Sequence, residues 1–155
     1  SWATLGLGKP DGVAWWFAGT VGLAGLAIIY GFVGAAWLVG IEEPTQDEIF
    51  DNPGPFIVVA IGAILLAPVI EEIFFRGFIF GWLRGHLGWV AAAAVSGVLF
   101  SVGHLSLFAV LPFTVIGILF AWSYQRTGSI RPGMVAHFMI NVVSVGIGLA
   151  SSGAF

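Results

Sequence analysis

Residues 55–83 read PFIVVAIGAILLAPVIEEIFFRGFIFGWL. A spanning helix needs about 20 mostly apolar residues at about 1.5 Å rise each, and this stretch exceeds that. Its second half nevertheless carries Glu71, Glu72 and Arg76. A charge at mid-bilayer costs about 2.5–3.5 kcal/mol on insertion scales, so such groups persist when they are paired, face a cavity, or both. The one segment thus predicts a fold built in lipid and a polar feature built inside it.

Composition agrees. The chain is 59% hydrophobic and 8% charged, with a mean hydropathy of +1.03. Soluble domains carry about 25% charged residues, and 8% cannot cover the surface of a water-borne domain. The net charge is −3, and the basic residues are Lys9, Arg76, Arg84, Arg126 and Arg131. No basic patch exists to displace counterions from nucleic acid. The absence of cysteine removes disulfides, thiolate metal sites and a cysteine nucleophile.

Working outward from residues 55–83, the sequence predicts an all-α, polytopic transmembrane helical bundle of about five spanning helices, a single domain over residues 1–155. The first span runs from about Gly12 to Val39, with Trp15, Trp16 and Trp37 at the depths of interfacial aromatic belts and Gly40 to close it. It lacks a small-residue cleavage site and reads as a span rather than a removed signal. Residues 41–53 form an acidic surface loop with Glu42, Glu43, Asp47, Glu48 and Asp51, in which Thr45 and Glu48 resemble a capping box. Pro53-Gly54-Pro55 breaks it, and Pro55 opens the second span. After a turn at Gly85-His86-Leu87-Gly88, the third span covers about Trp89 to Leu105. The fourth covers Ser106 to Tyr124, with Pro112 as a kink near its start. Thr127-Gly128-Ser129 turns the chain into a fifth span, Arg131 to Ala150, followed by a short tail.

Lys9, Arg84, Arg126 and Arg131 fall on one side of a five-span arrangement, which places the N-terminus in the cytoplasm. Ala27, Gly31 and Ala35, and again Gly77, Gly81 and Gly85, recur every fourth residue, a spacing that lets membrane helices approach closely.

The polar residues inside the spans carry the chemistry. Glu72 and Arg76 share a helix face in the favourable acid-first order and can neutralise each other. Glu71 points about 100° away and is the carboxylate left over, suited to acid–base work. His104 lies near the end of the third span, with Phe100 on its face. His137 and Asn141 share a face of the fifth and can aim two donors at a developing oxyanion. Along straight helices, Glu71 lies about 20 Å from Arg84 and His104 about 22 Å from Trp89, similar depths. His137 lies only about 9 Å past Arg131, so the fifth helix must begin deeper in the membrane or tilt strongly.

These residues resemble a known family. Glu71-Glu72-Ile73-Phe74-Phe75-Arg76 is similar to the EExxxR motif, Phe100 to His104 to FxxxH, and His137 to Asn141 to HxxxN, of the CPBP (ABI) family. That family joins CAAX prenyl endopeptidases to bacteriocin-processing and bacteriocin-immunity proteins. The likeness covers about residues 55–150. It implies an intramembrane protease of a prokaryotic plasma membrane acting on a peptide or membrane-protein substrate, prenylated in some members. Glu71 and His104 would activate a water, His137 and Asn141 would hold the oxyanion, and Glu72, Arg76 and Phe100 would support the site. No cofactor is expected. Two readings stand beside it. Two His and one Glu could bind zinc, although HExxH is absent. The chain could also be a non-enzymatic immunity factor or scaffold subunit. No inverted repeat points to a transporter.

Overall fold

The computed structural model describes residues 5–41 and 53–151, and only the backbone of residues 53–56. The capping box and acidic loop at 42–52 and the tail after Ser151 lie outside the described residues. Five helices account for most of what is described, and no strand is present among these residues. Helix α1 spans Ala14–Leu38. A second helix, α2, runs without a break from Pro53 to Leu87. Then come α3 (Trp89–Val102), α4 (Val110–Thr127) and α5 (Arg131–Ser151). The all-α membrane bundle read from the sequence is what the structure shows. Of the five, α1, residues 57–87 of α2, and α5 are long and apolar enough to cross a membrane by themselves. Helix α3 has 14 residues, about 21 Å of rise.

The outer surface carries the apolar side chains that a soluble protein would hide. Trp16, Leu23, Val58 and Phe78 are each at least 61% exposed. An apolar exterior around a polar interior is the arrangement lipid favours, because every helix satisfies its own backbone and turns its hydrocarbon outward. The interior is built by α3 packing on α4, α1 on α5 and α4, and α2 on α3 and α5. One apolar cluster joins Val21, Phe100, Ile116, Phe120, Ala136 and Ile140, and a second joins Phe80, Ala92, Ala93, Ala121, Tyr124 and Ile130.

Helix ends follow local chemistry. Gly40 (φ +74°) ends α1 in a Schellman arrangement, with Ile41 N–H on Ala36 O and Gly40 N–H on Trp37 O. Gly128 (φ +66°) ends α4 in the same left-handed region. Several boundaries differ from the sequence reading. Helix α2 begins at Pro53 and stays helical through Gly85, His86 and Leu87, so the turn into α3 is Gly88 alone (φ +76°). Helix α3 stops at Val102, and residues 103–109 form a turn rather than helix. Pro112 then falls in the first turn of α4, where its missing N–H costs nothing, and makes no kink.

The small-residue rows also divide. Ala27, Gly31 and Ala35 face outward, and a Cβ added at Gly31 meets open space, so this row is not packed against the other described residues. The packed small residues of α1 are instead Gly22, against Met139 and Ala136, and Gly25, against Ile140. Of the second row, Gly77 is the close approach: an added Cβ would lie 2.8 Å from Leu5 O.

That contact belongs to an N-terminal strap, Leu5 to Pro10. Gly6 (φ +74°) packs on the Tyr124 ring, its carbonyl accepts from Ile130 N–H, and Gly8 O accepts from Ser129 Oγ. Ser129 and Ile130 are 2% and 1% exposed. The loop leading into α5 is thus covered by the strap, while Arg131, the first residue of the helix, is exposed.

Candidate functional site

Helix α2 is not uniform. It is α-helical over Pro53–Ile61, π-helical over Gly62–Leu66, α-helical over Ala67–Glu71, π-helical over Glu72–Phe80 and α-helical again over Gly81–Leu87. π-Helical segments close i→i+5 bonds, are rare, and are frequent at functional sites. Glu71 ends the central α-helical segment, and Glu72 opens the longer π-helical one.

Glu72 and Arg76 are both completely buried and pair at 3.1 Å (Oε1 to Nη1). The guanidinium is held at its two terminal nitrogens and across its faces, while its buried Nε has no hydrogen-bond partner among the described residues. Its Nη2 donates to Gly117 O at 3.1 Å, and its carbon lies 4.4 Å from the Phe100 ring centroid and 5.0 Å from that of Phe120. Aromatic faces replace part of the lost hydration of a buried cation. Phe100, expected from sequence as a support, lies against this guanidinium and also touches His104 and His137 edge-on at 4.8 and 5.7 Å.

Glycines make this possible, and sequence reasoning did not single them out. A Cβ at Gly97 would lie 2.7 Å from Thr114 O, and one at Gly117 would lie 2.7 Å from the Gly97 Cα. Helices α3 and α4 therefore meet backbone to backbone, which brings Gly117 O to the arginine. Gly133 on α5 does the same for Glu72, whose Oε2 would lie 2.9 Å from an added Cβ. The available signal was a glycine at mid-span on each of two successive helices.

His137 stands between the two acids. Its Nε2 is 3.8 Å from Glu71 Oε2, and its Nδ1 is 3.8 Å from Glu72 Oε1. The ring stacks on Phe120 at 5.2 Å, which fixes its plane. Among the described residues, Glu71 Oε2, both Glu72 oxygens and His137 Nδ1 find no hydrogen-bond partner. Catalytic contacts are often this long before substrate binds and tighten in the complex. Among the described residues the polar partner of Glu71 is thus His137, while His104 is held by Phe100 O.

His104 lies past the end of α3, in the turn. Its Nδ1 is 2.9 Å from Phe100 O. A carbonyl only accepts, so Nδ1 carries the proton, and the neutral ring keeps Nε2 as an acceptor. The next residue, Leu105, has φ +55°, a costly conformation for a bulky side chain and one that clusters at functional sites. Asn141 Nδ2 donates to Ala63 O at 2.7 Å, in the first π-helical segment, leaving the second N–H of the amide available.

His104, His137 and Asn141 meet at one cavity of about 100 Å³, completed by Ile29, Phe100, Phe113, Ile116, Ile140 and Ser144. It has room for a few water molecules. The structure thus brings three of the four expected catalytic residues to one space, with Glu71 outside its lining and 3.8 Å from His137 Nε2. Among the described residues no three His, Asp or Glu side chains converge as a metal-ligand set. His86 bonds only its own helix, at Trp82 O, and stays exposed.

Comparison with known proteins gives a consistent result. Residues 53–143 match the family described as type II CAAX prenyl endopeptidase Rce1-like, a range that contains all three motifs. The chain is 31% identical to "Putative membrane peptidase YdiL" of Bacillus subtilis (strain 168), over 92% of this chain and 60% of that protein. It is 25% identical to "UPF0177 protein YxdF" of Lactococcus lactis subsp. lactis (strain IL1403), over 50% of this chain and 43% of that one. The chain therefore spans well under two thirds of the length of either relative. No solved structure matches it significantly.

Proposed function

Since the chain belongs to the Rce1-like family of type II CAAX prenyl endopeptidases, we propose that it is an intramembrane endopeptidase whose working groups are Glu71, His104, His137 and Asn141. The observation that carries this reading is the cavity at which His104, His137 and Asn141 converge, with Glu71 3.8 Å from the His137 ring.

A water in the cavity would give its proton to Glu71, with His104 Nε2 accepting its second hydrogen bond. The hydroxide adds to the carbonyl carbon of the scissile peptide. His137 and the free N–H of Asn141 then face the resulting oxyanion, in a site screened from bulk water where such donors are strong. Collapse expels the amine, which takes the proton from Glu71. Glu72 and Arg76 hold the frame and do not react. The substrate in this reading is a peptide or the end of a membrane protein, with prenylation a matter for the assay. The bilayer is prokaryotic, and the Arg84, Arg126 and Arg131 end faces the cytoplasm.

The reading assigns the chemistry to these side chains without a metal. The test is cleavage of a fluorogenic peptide panel, with and without a prenylated CAAX end, by protein in detergent. Wild type should cleave, Glu71→Gln should lose at least about 100-fold in kcat, and chelators should have no effect. Zinc-restorable loss on chelation would instead mark a zinc enzyme. A second reading, a non-enzymatic subunit docking a partner helix, draws on the outward row Ala27, Gly31, Ala35. No cleavage by folded protein, and a cellular phenotype that survives Glu71→Gln, would favour it.

A further inference from the structure

The proposed chemistry makes no use of one hydroxyl, yet that hydroxyl ties the carboxylate-bearing helix to its neighbour. Ser96 of α3 is completely buried, and its Oγ donates to Phe75 O, in the second π-helical segment of α2, at 2.9 Å. The first π-helical segment has a counterpart, since Asn141 of α5 donates to Ala63 O at 2.7 Å. Glu71 and Glu72 lie between these two ties.

A π-helical segment competes with the α-helix that the same residues could form, and the two differ in register. One residue of register turns the chain beyond it by about 100°. Such a turn would carry Glu71 away from His137 Nε2 and the Glu72–Arg76 pair away from Gly117 O and the Phe100 and Phe120 rings. Holding the π register therefore amounts to holding the direction of both carboxylates. An outside donor fixed on α3 and bonded to a carbonyl within the segment is a means of holding it.

We infer that Ser96 is a positioning residue of this site. It acts on Glu71 and Glu72 through the Phe75 carbonyl and touches neither carboxylate nor substrate. Its kinetic consequence rests on the proteolytic reading above. Ser101 supplies the comparison. It lies on the same helix and is equally buried, but its hydroxyl is bonded to Val98 O and Thr114 Oγ1 and has no tie to α2.

The experiment compares wild type, Ser96→Ala and Ser101→Ala, each as the whole chain in detergent. Hydrogen–deuterium exchange over residues 72–80 should quicken about tenfold in Ser96→Ala and stay at the wild-type rate in Ser101→Ala. In the peptide assay Ser96→Ala should lower kcat about tenfold or more with KM within about twofold, while Ser101→Ala changes neither. Unchanged exchange over 72–80 in Ser96→Ala, or the same losses in both variants, overturns the inference. If Ser96→Ala does not fold, Ser96→Cys keeps the volume and a weaker donor, and should show the same pattern at smaller amplitude. Wild-type protein that cleaves nothing would count against the protease reading alone, since the exchange arm still decides whether Ser96 holds the segment.

Discussion

Arg76 shows how a single residue sets the terms for its surroundings. A buried cation in lipid has no water to fall back on, and its partners are Glu72, Gly117 O and two aromatic faces. Removing one member of a buried ion pair leaves the other uncompensated, so Arg76→Ala should destabilise the fold by about 3–5 kcal/mol. Thermal unfolding in detergent measures this. The double change Glu72→Leu with Arg76→Met should recover much of the loss, because no charge is then orphaned. At this scale the sequence was informative about charge. The spacing of Glu72 and Arg76 showed the pair, and left Glu71 over. It was uninformative about Gly97, Gly117 and Gly133, because whether a glycine is required depends on the atom facing it from another helix. It also paired Glu71 with His104 by resemblance and gave no sign of the 3.8 Å approach of His137 Nε2 to Glu71.

Among elements, the α3–α4 pair is decisive. The atom opposing a Cβ at Gly97 is a backbone oxygen, Thr114 O, which cannot swing aside. Gly97→Ala should therefore push the helices apart, cost about 1–3 kcal/mol of stability, and stretch the bond from Arg76 to Gly117 O. Gly31→Ala, which meets open space, should leave the melting temperature unchanged. Hydropathy located every helix but misplaced the junction of α3 and α4. Leu105, Leu107 and Phe108 are as apolar as any helix interior, and hydropathy does not register a backbone turn made of apolar residues. The π-helical segments left no compositional trace either, since they differ from α-helix in hydrogen-bond partner rather than in side-chain type.

For the molecule as a whole, the strap at Leu5 to Pro10 fastens the loop that leads into α5, with Gly6 O accepting from Ile130 N–H and Gly8 O from Ser129 Oγ. Gly6 has φ +74° and an added Cβ would strike the Tyr124 ring at 2.6 Å. Gly6→Ala should cost about 1–3 kcal/mol and make the loop at 128–130 more open to proteolysis, which limited digestion reads directly. From sequence, helix arithmetic left α5 either starting deep or tilting strongly. The strap left no signal there, because it binds mainly through its backbone carbonyls and glycines, which look alike in any sequence.

The short α3 has a consequence for the surrounding solvent. About 21 Å of helix stands where the hydrocarbon of an ordinary bilayer is about 30 Å thick. Beside the 103–109 turn the acyl chains must compress or tilt to avoid stranding His104 and its neighbours in oil, and each ångström of mismatch carries a modest cost. Lipid thickness thus becomes a control variable for the site. Under the proteolytic reading, protein reconstituted into vesicles of successively longer acyl chains should cleave fastest in the thinner bilayers and lose rate as they thicken.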